Sequence, residues 1–457
     1  MDKKLKTGIL NIFSANVINL VLNIITSFIL PKYLSVETYS AIKTFQLYIG
    51  YAGLLHLGYV DGMYLKYGGM DIEKINKNDF NKDLSTMRIF QFLMTIVWVT
   101  VGLIIHDYII VAFGLAILPE NMNSYFRYLF QSIGEFKRYR KILNITTIGT
   151  FLANTTLLFA LKSNNSFMYC LLYVIIYIVS WLTLEIEIRK KIDNNLSIIS
   201  FSKKCFNNNI KLGILLMLGT FSSIILTSID RWFVKMTLET IDFAEYSFAV
   251  TMDNFVNVAI TPITLTLYNY FCRKKENCNF EKIRSYIIIT SIYIIAAFFP
   301  AKFILETYLT KYINSSIVLA CLFASQLSFI CVKSIYVNMY KYKRMQKKYF
   351  QKLLSVIIFG VIVNILIFKI YPCKESYAIG TLISSIYWLI ISLLDFKSVF
   401  KNNKCILLFI VELILFLICA CTFNSVIGFI VYVMISTLFI IISFKEDVIY
   451  LLKIIKS

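Results

Sequence analysis

Runs of about twenty apolar residues, separated by short polar stretches, recur from one end of the chain to the other. A helix needs about 20 mostly apolar residues to cross a hydrocarbon layer of about 30 Å. By that measure fourteen segments qualify: near 9–30, 38–61, 87–105, 108–131, 142–161, 166–188, 210–234, 243–270, 284–300, 313–338, 350–370, 376–396, 405–422 and 425–443. Twelve spans with a peripheral pair is the alternative if 405–444 does not cross. The first segment follows Lys3, Lys4 and Lys6. It is too long for a signal-peptide core and has no small-residue cleavage site near Pro31, so a retained helix is expected. The pattern predicts an all-α polytopic membrane protein of about 14 transmembrane helices.

Displacing the chain on itself by 206–207 positions aligns matching features. Tyr39, Ser40 and Thr44 fall on Tyr246, Ser247 and Thr251, Asn23 on Asp230, and Arg127 on Lys333. Phe136, Lys137 and Arg138 fall on Tyr342, Lys343 and Arg344. The repeat holds six segments, an even number, so both copies begin on the same side, as in transporters built from parallel repeats. The expected organisation is a six-helix lobe over 1–205, a second over 206–400, and two further helices with a cytoplasmic tail over 401–457. A central cavity between two such lobes is the expected substrate site.

Composition narrows the picture. Hydrophobic residues make up 58% and charged residues 16%, with a net charge of +20. That charge alone would suggest nucleic acid, but no segment is long or polar enough to hold a soluble nucleic-acid domain. Topology explains it instead. With the N-terminus inside, and with residues at the ends of spans counted with the adjoining segment, cytoplasmic segments hold 35 Lys and Arg and external ones 7, while Lys43, Arg127, Arg231 and Lys333 lie deeper within spans. This is a strong positive-inside signal placing both termini in the cytoplasm. No loop is long enough for a folded catalytic domain of about 100 residues. The ten cysteines are scattered and only Cys373 faces outward, so no disulfide framework is expected. His56 and His106 lack a second ligand at metal spacing, and no nucleotide-binding loop or hydrolase motif is present. Neither an enzyme nor a bound cofactor is expected.

A charge at the centre of a bilayer helix costs about 2.5–3.5 kcal/mol, so residues that bear it face protein or water. Asn16, Asn19, Asn23 and Ser27 share one face of the first segment, suited either to sugar hydroxyls and a diphosphate or to bonds between helices. Lys43, Gln46, Gly50 and Gly53 share a face of the second, with Lys43 either turned inward or snorkelling outward. Glu120, Asn123 and Arg127 stand one above another behind Pro119. Lys333, with Gln326 seven residues earlier, repeats that cationic stripe in the second lobe. Two cations facing a cavity would attract an anionic ligand; the opposing expectation is that each is paired with a carboxylate. Ser223, Thr227, Asp230 and Arg231 line the seventh segment, Asp230 and Arg231 as an adjacent, partly self-neutralising pair. Asp253, Asn254 and Asn257 lie in the eighth, with Pro262 beyond. Glu120 and Asp253 are the carboxylates best placed to couple H+ or Na+ binding to transport.

The stretch Ile29, Leu30, Pro31, Lys32, Tyr33, Leu34, Ser35, Val36, Glu37, Thr38 and Tyr39, followed by Leu57 and Gly58, resembles the first hairpin of bacterial polysaccharide flippases of the Wzx type. Lys32 stands where that family usually has Arg, and Ser40 where it has Gly. Asp230, Arg231 and Trp232 through Tyr246 and Ser247 resemble the opening of its second lobe. Gly134, Glu135, Phe136, Lys137, Arg138 and Tyr139 resemble its cytoplasmic loop. The resemblance implies the multidrug/oligosaccharidyl-lipid/polysaccharide exporter superfamily, with two six-helix lobes around a cavity. It further implies translocation of undecaprenyl-diphosphate-linked oligosaccharide repeat units, as for O-antigen or capsule, across the bacterial cytoplasmic membrane by alternating access. Membrane lipids, a glycan polymerase and chain-length machinery are the implied partners, without nucleic acid. Lys43, Arg127, Arg231 and Lys333 would suit the diphosphate and the Asn and Tyr faces the glycan, with Asn16, Asn19, Asn23 and Gln46 completing the expected substrate-binding set. A multidrug–cation antiporter and a lipid II flippase are the alternatives within the same superfamily.

Overall fold

In a lipid interior the backbone must satisfy its own hydrogen bonds, and a helix does this within one segment. All fourteen apolar segments are helical. The structure, a computed structural model, describes residues 3–444 apart from 69, 71, 72, 74, 134, 193–199, 275–278, 398 and 400–403. The chain runs α1 (Lys3–Tyr33), α2 (Val36–Ile49), α3 (Tyr59–Tyr67), α4 (Lys77–Ile105), α5 (Tyr108–Ser132), α6 (Phe136–Thr155), α7 (Ser166–Ile192) and α8 (Lys203–Leu226). It continues through α9 (Ile229–Thr237), α10 (Thr240–Lys274), α11 (Phe280–Ile295), α12 (Phe298–Thr307), α13 (Ser316–Cys331) and α14 (Val337–Tyr342). Last come α15 (Gln346–Ile370), α16 (Lys374–Asp395), α17 (Lys404–Thr422) and α18 (Ser425–Ser443). Among the described residues, 11 helical stretches are long and apolar enough to cross a membrane.

The chain forms two compact units, Met1–Ile224 and Ile225–Ser457. The repeat in the sequence divides it after residue 205; the packing divides it near the end of α8. The reason is local. Gly58 and Gly62 on one side and Gly213 of α8 on the other let two backbones touch, as small residues spaced by four do between membrane helices. A Cβ at Gly213 would lie 2.1 Å from the Gly58 carbonyl oxygen and 2.2 Å from the Gly62 nitrogen. Gly58 also adopts φ +81, which a side chain would strain.

Within the first unit α5 is the central helix: 72% of its apolar stretch is buried, against 17% for α4 and 28% for α7. Tyr59, Met63, Phe80, Met87, Tyr125 and Phe126 pack around its second half. Fully buried Asp83 of α4 ties this core together. Its carboxylate accepts from Tyr67 Oη at 2.6 Å, Lys66 Nζ at 2.6 Å and Asn209 Nδ2 at 3.1 Å. The second segment was read as one continuous span. It is broken: α2 ends at Ile49, a 3₁₀ turn covers Ala52–His56, and α3 follows. Gly50 and Gly53 therefore lie beyond α2 and do not extend the face of Lys43 and Gln46.

In the second unit the central element is the stretch from Thr310 to Tyr342, with 89% of its apolar part buried. It is α13 continued through a π-helical turn, Val332–Tyr336, into α14. The stretch 301–312, between the ninth and tenth apolar segments and thus expected as a loop, is instead covered by α12 and a 3₁₀ turn, Thr310–Ser315. Lys302 within it is 8% exposed. Its ammonium donates to the carbonyls of Ala420 at 2.8 Å and Phe423 at 2.7 Å, where α17 ends. Glu306, one turn on, accepts from Ser425 N at 3.3 Å and Ser425 Oγ at 2.5 Å, where α18 begins. A cation at a helix C-terminus and an anion at a helix N-terminus both oppose the local dipole, so this i, i+4 pair pins the α17–α18 hairpin to its unit.

Gly213→Ala should cost at least about 1–3 kcal/mol through overpacking and lower the melting temperature in detergent. Gly219→Ala, whose Cβ would meet nothing within 4 Å, should leave it unchanged; equal melting temperatures would show that the Gly58–Gly213 approach is not tight.

Candidate functional site

The central helix of each unit carries the cation singled out in the sequence. In the first unit, Glu120 and Arg127 lie two turns apart on α5, the span that brings i and i+7 onto one face. Arg127 Nη2 donates to Glu120 Oε1 at 2.9 Å and to Ser124 Oγ at 2.6 Å. Both bonds use one nitrogen of a group with five N–H donors. The guanidinium side chain stays 32% exposed against 15% for the carboxylate, so its other donors remain open to a ligand. Tyr128, Tyr139 and Tyr177 lie close enough to feel its charge. Asn123 turns away from this stripe and donates to the Tyr177 carbonyl at 2.9 Å, tying α5 to α7.

A second polar group lies on α2. Lys43 Nζ donates to Gln46 Oε1 at 3.2 Å and stands 5.3 Å from the centre of the Tyr39 ring. Gln46 Nε2 in turn donates to Tyr173 Oη at 3.2 Å, which also accepts from Asn154 Nδ2 at 3.1 Å. Tyr173 and Tyr177 are one turn apart on α7, so a single helix edge borders both groups. The asparagine face of α1 is only partly realised. Asn19 is half-buried with its Oδ1 lacking a partner, Asn23 is exposed, and the side chains of Asn16 and Ser223 lie outside the described residues.

The second unit builds its counterpart across two helices. Gln326 Nε2 of α13 donates to Asp253 Oδ2 of α10 at 2.7 Å. Lys333, on the π-helical turn that follows, donates to Asn257 Oδ1 at 3.2 Å and stands 5.2 Å from the Phe329 ring centre. Asn257 Nδ2 reaches Asn254 Oδ1 at 3.3 Å. Asp253 Oδ1 and Gln326 Oε1 are buried and have no partner. A π-turn inserts one residue into the helical register and is frequent at functional positions.

The expected partnership of Asp230 with Arg231 takes a different form. The Asp230 carboxylate receives the backbone N–H of Arg231 at 2.8 Å rather than its guanidinium. It also accepts from Tyr246 Oη at 2.7 Å and Thr381 Oγ1 at 3.4 Å. Turn residues Thr227 and Ser228 separate α8 from α9 and set Asp230 in the first turn of α9, pointing it at α10 and α16. Arg231 is half-buried, with its Nε shielded and without a partner. His56 is buried and accepts from Gly58 N at 3.2 Å, and His106 is the left-handed residue that ends α4. Among the described residues no group of three or more metal-binding side chains converges.

Three features escaped the sequence reading. Tyr173 gave no signal, being one tyrosine among 30. Asp83 falls just before the third apolar segment, and a carboxylate at the edge of an apolar run is its one visible signal. Lys302 falls between the ninth and tenth apolar segments, and Glu306 at i+4 is its one available clue.

No protein-family model and no curated protein matches the chain. Solved structures do. The lipid II flippase MurJ in an inward closed conformation superposes with a TM-score of 0.66 at 15% identity, over 97% of this chain and 99% of that one. An inward-facing multidrug resistance transporter of the MATE family gives 0.57 at 13%, over 84% and 94%. A MOP superfamily transporter from Pyrococcus furiosus gives 0.50 at 13%, over 87% and 97%. At these identities the likeness is one of fold: the chain has the fold of MOP superfamily transporters and flippases.

Glu120→Ala should leave the Arg127 guanidinium with Ser124 alone and cost about 1.5–3 kcal/mol, the worth of a hydrogen bond to a charged group. Glu120→Gln, which keeps a neutral acceptor oxygen there, should cost less. Thermal unfolding in detergent should rank wild type above Glu120→Gln and Glu120→Gln above Glu120→Ala; three equal values would show that the pair adds nothing.

Proposed function

We propose that this protein is an alternating-access flippase for lipid-linked oligosaccharides, moving undecaprenyl-diphosphate-linked repeat units across the bacterial cytoplasmic membrane. The observation that carries this reading is a cation on the central helix of each unit, 206 positions apart, whose donors are only partly used by protein groups. A diphosphate offers several charged acceptor oxygens, and a guanidinium binds such oxygens with strong, short bonds. Tyrosines beside Arg127 and the amides of Gln46 and Asn257 suit sugar faces and hydroxyls. The extent of the likeness supports a lipid-linked cargo as well. It takes in 97% of this chain for the lipid II flippase and 84% for the multidrug transporter. A carrier of cationic drugs would favour carboxylates, whereas the cations Lys43, Arg127, Arg231 and Lys333 outnumber the acids Glu120, Asp230 and Asp253.

Resetting of the cycle is assigned to Asp253. Its Oδ1 has no partner and its Oδ2 is held by a neutral amide, so it has room for H+ or Na+, whereas Glu120 is engaged by Arg127. The polysaccharide polymerase and chain-length machinery are the consumers such a cargo requires on the outer side.

Arg127→Ala and Lys333→Ala should each lower surface glycan in a bacterial strain lacking its own flippase while leaving protein levels intact, and the double variant should lower it further. Normal glycan display from the double variant would remove this function. Orientation has its own test. Cys373 precedes α16, and its thiol is pushed above its ordinary pKa first by burial and then by its bond with Glu375. The thiolate is the reactive form, so labelling of Cys373 by a membrane-impermeant maleimide from outside should be slow at neutral pH and rise about tenfold per pH unit below its pKa. Labelling only after the cytoplasmic face is opened would reverse the topology.

A further inference from the structure

Apart from the two central polar groups, the first unit has a cleft of about 800 Å³ at the basic end of α6, closed on one side by the end of α7. Lys137, Arg138, Arg140 and Lys141 line it against two acids, Glu135 and Glu187. Lys141 is bonded to Glu187, and Arg138 Nε lies 3.7 Å from Glu135 Oε2. Four basic side chains against two acids give the lining a positive balance. Two buried polar atoms of the lining, Arg138 Nη1, a donor, and Asn144 Oδ1, an acceptor, have no hydrogen-bond partner.

The same helix face then turns apolar. Lys137, Lys141, Ile145, Ile148 and Leu152 follow one another at spacings of three and four, so the cleft runs from a charged rim to a hydrocarbon wall along about 22 Å of helix. That wall is open, with Ile148 39% and Leu152 55% exposed. A ligand that fits must therefore carry an anion, a hydrogen-bond donor beside it and an apolar chain. Inorganic phosphate satisfies only the first requirement. Nucleic acid fails the last.

We propose that this cleft is a binding site for one anionic glycerophospholipid. Its phosphodiester lies among Lys137, Arg138, Arg140 and Lys141, a headgroup hydroxyl donates to Asn144, and an acyl chain lies along Ile145, Ile148 and Leu152. Basic pockets between membrane helices hold such headgroups by charge. The glycerol headgroup is favoured over an isoprenyl diphosphate by the unused Asn144 oxygen, which calls for a hydroxyl adjacent to the phosphate. The bound lipid would lie beside the Lys141–Glu187 bond that joins α6 to α7 at their charged ends.

The test is native mass spectrometry of the full-length protein in detergent, titrated separately with phosphatidylglycerol, phosphatidylcholine and undecaprenyl diphosphate. Wild type should take up one phosphatidylglycerol ahead of phosphatidylcholine. Lys137→Gln/Arg140→Gln/Lys141→Gln should raise the half-saturating phosphatidylglycerol concentration about tenfold or more, since each basic residue adds to the attraction, and leave phosphatidylcholine uptake unchanged. Asn144→Leu, which keeps all the charges, should weaken phosphatidylglycerol but not phosphatidic acid, which has no headgroup hydroxyl beyond its phosphate; this variant also serves if the triple variant does not fold. Equal phosphatidylglycerol uptake by wild type and both variants would overturn the proposal. So would a response confined to undecaprenyl diphosphate, which would give the cleft to the cargo.

Discussion

A charge placed within lipid has to bring its partner with it, because the surrounding hydrocarbon supplies neither counter-charge nor hydrogen bond. Each unit of this protein meets that requirement from its own residues. On α5 the Arg127 guanidinium is held by Glu120 and Ser124. In the second unit Lys333 rests against Asn257, with the Asp253 carboxylate close enough to act on it. Asp83 and Asp230 follow the same rule with tyrosine hydroxyls as partners. The helices are positioned by these local settlements as much as by their apolar faces, which attract lipid and protein about equally.

The two units solve the problem alike but not identically. At the repeat offset, Glu120 of α5 corresponds to Gln326 of α13, while Gln46 of α2 corresponds to Asp253 of α10. At these two positions the acid and the amide are exchanged between helices. The exchange has a physical consequence. In the first unit the acid shares a helix with the cation and binds it directly. In the second unit the acid sits on the neighbouring helix, binds the amide, and leaves the cation to an asparagine. Arg127 is the more firmly held of the two, and Lys333, on its π-helical turn, the more available. Other bonds recur unchanged, among them Thr44 to the Ser40 carbonyl and Thr251 to the Ser247 carbonyl, at 3.0 and 2.7 Å.

The helices were legible because bilayer thickness imposes one length on every span, and apolar runs of that length are hard to mistake. The breaks within them were less legible. Nothing in the periodicity around Gly50–Gly58 says whether the glycines thin a helix wall or end it, and the answer lies in the approach of α8, a contact some 150 positions away along the chain. Residues of the site were visible as anomalies: Arg127, Lys333, Glu120 and Asp253 stand out because they are polar where neighbours are not. Their partners were less visible. That Glu120 takes Arg127 follows from helical spacing, whereas that Asp253 takes Gln326 needs two helices brought together, and Tyr173 became a junction only through the packing of α2, α6 and α7.

The α17–α18 hairpin shows how little chemistry is needed to fix an element that sequence alone leaves ambiguous. Its outer surfaces are apolar, and hydropathy cannot distinguish a spanning pair from a peripheral one. What fixes it is a junction of opposite charges at the point where one helix ends and the next begins. Lys302 bonds the last carbonyls of α17, and Glu306 bonds the first residue of α18. Both come from α12, so the hairpin is tied at its turn to a helix already packed in the second unit, while Phe298, Phe299, Phe416 and Tyr432 stack edge to face behind the junction. Fully buried Glu412, bonded to Ser436, then joins the two helices deeper in the membrane. An unpartnered carboxylate at that depth would be costly, so Glu412 also fixes the register of α17 against α18: a slip by one residue would rotate it away from Ser436 and toward the lipid.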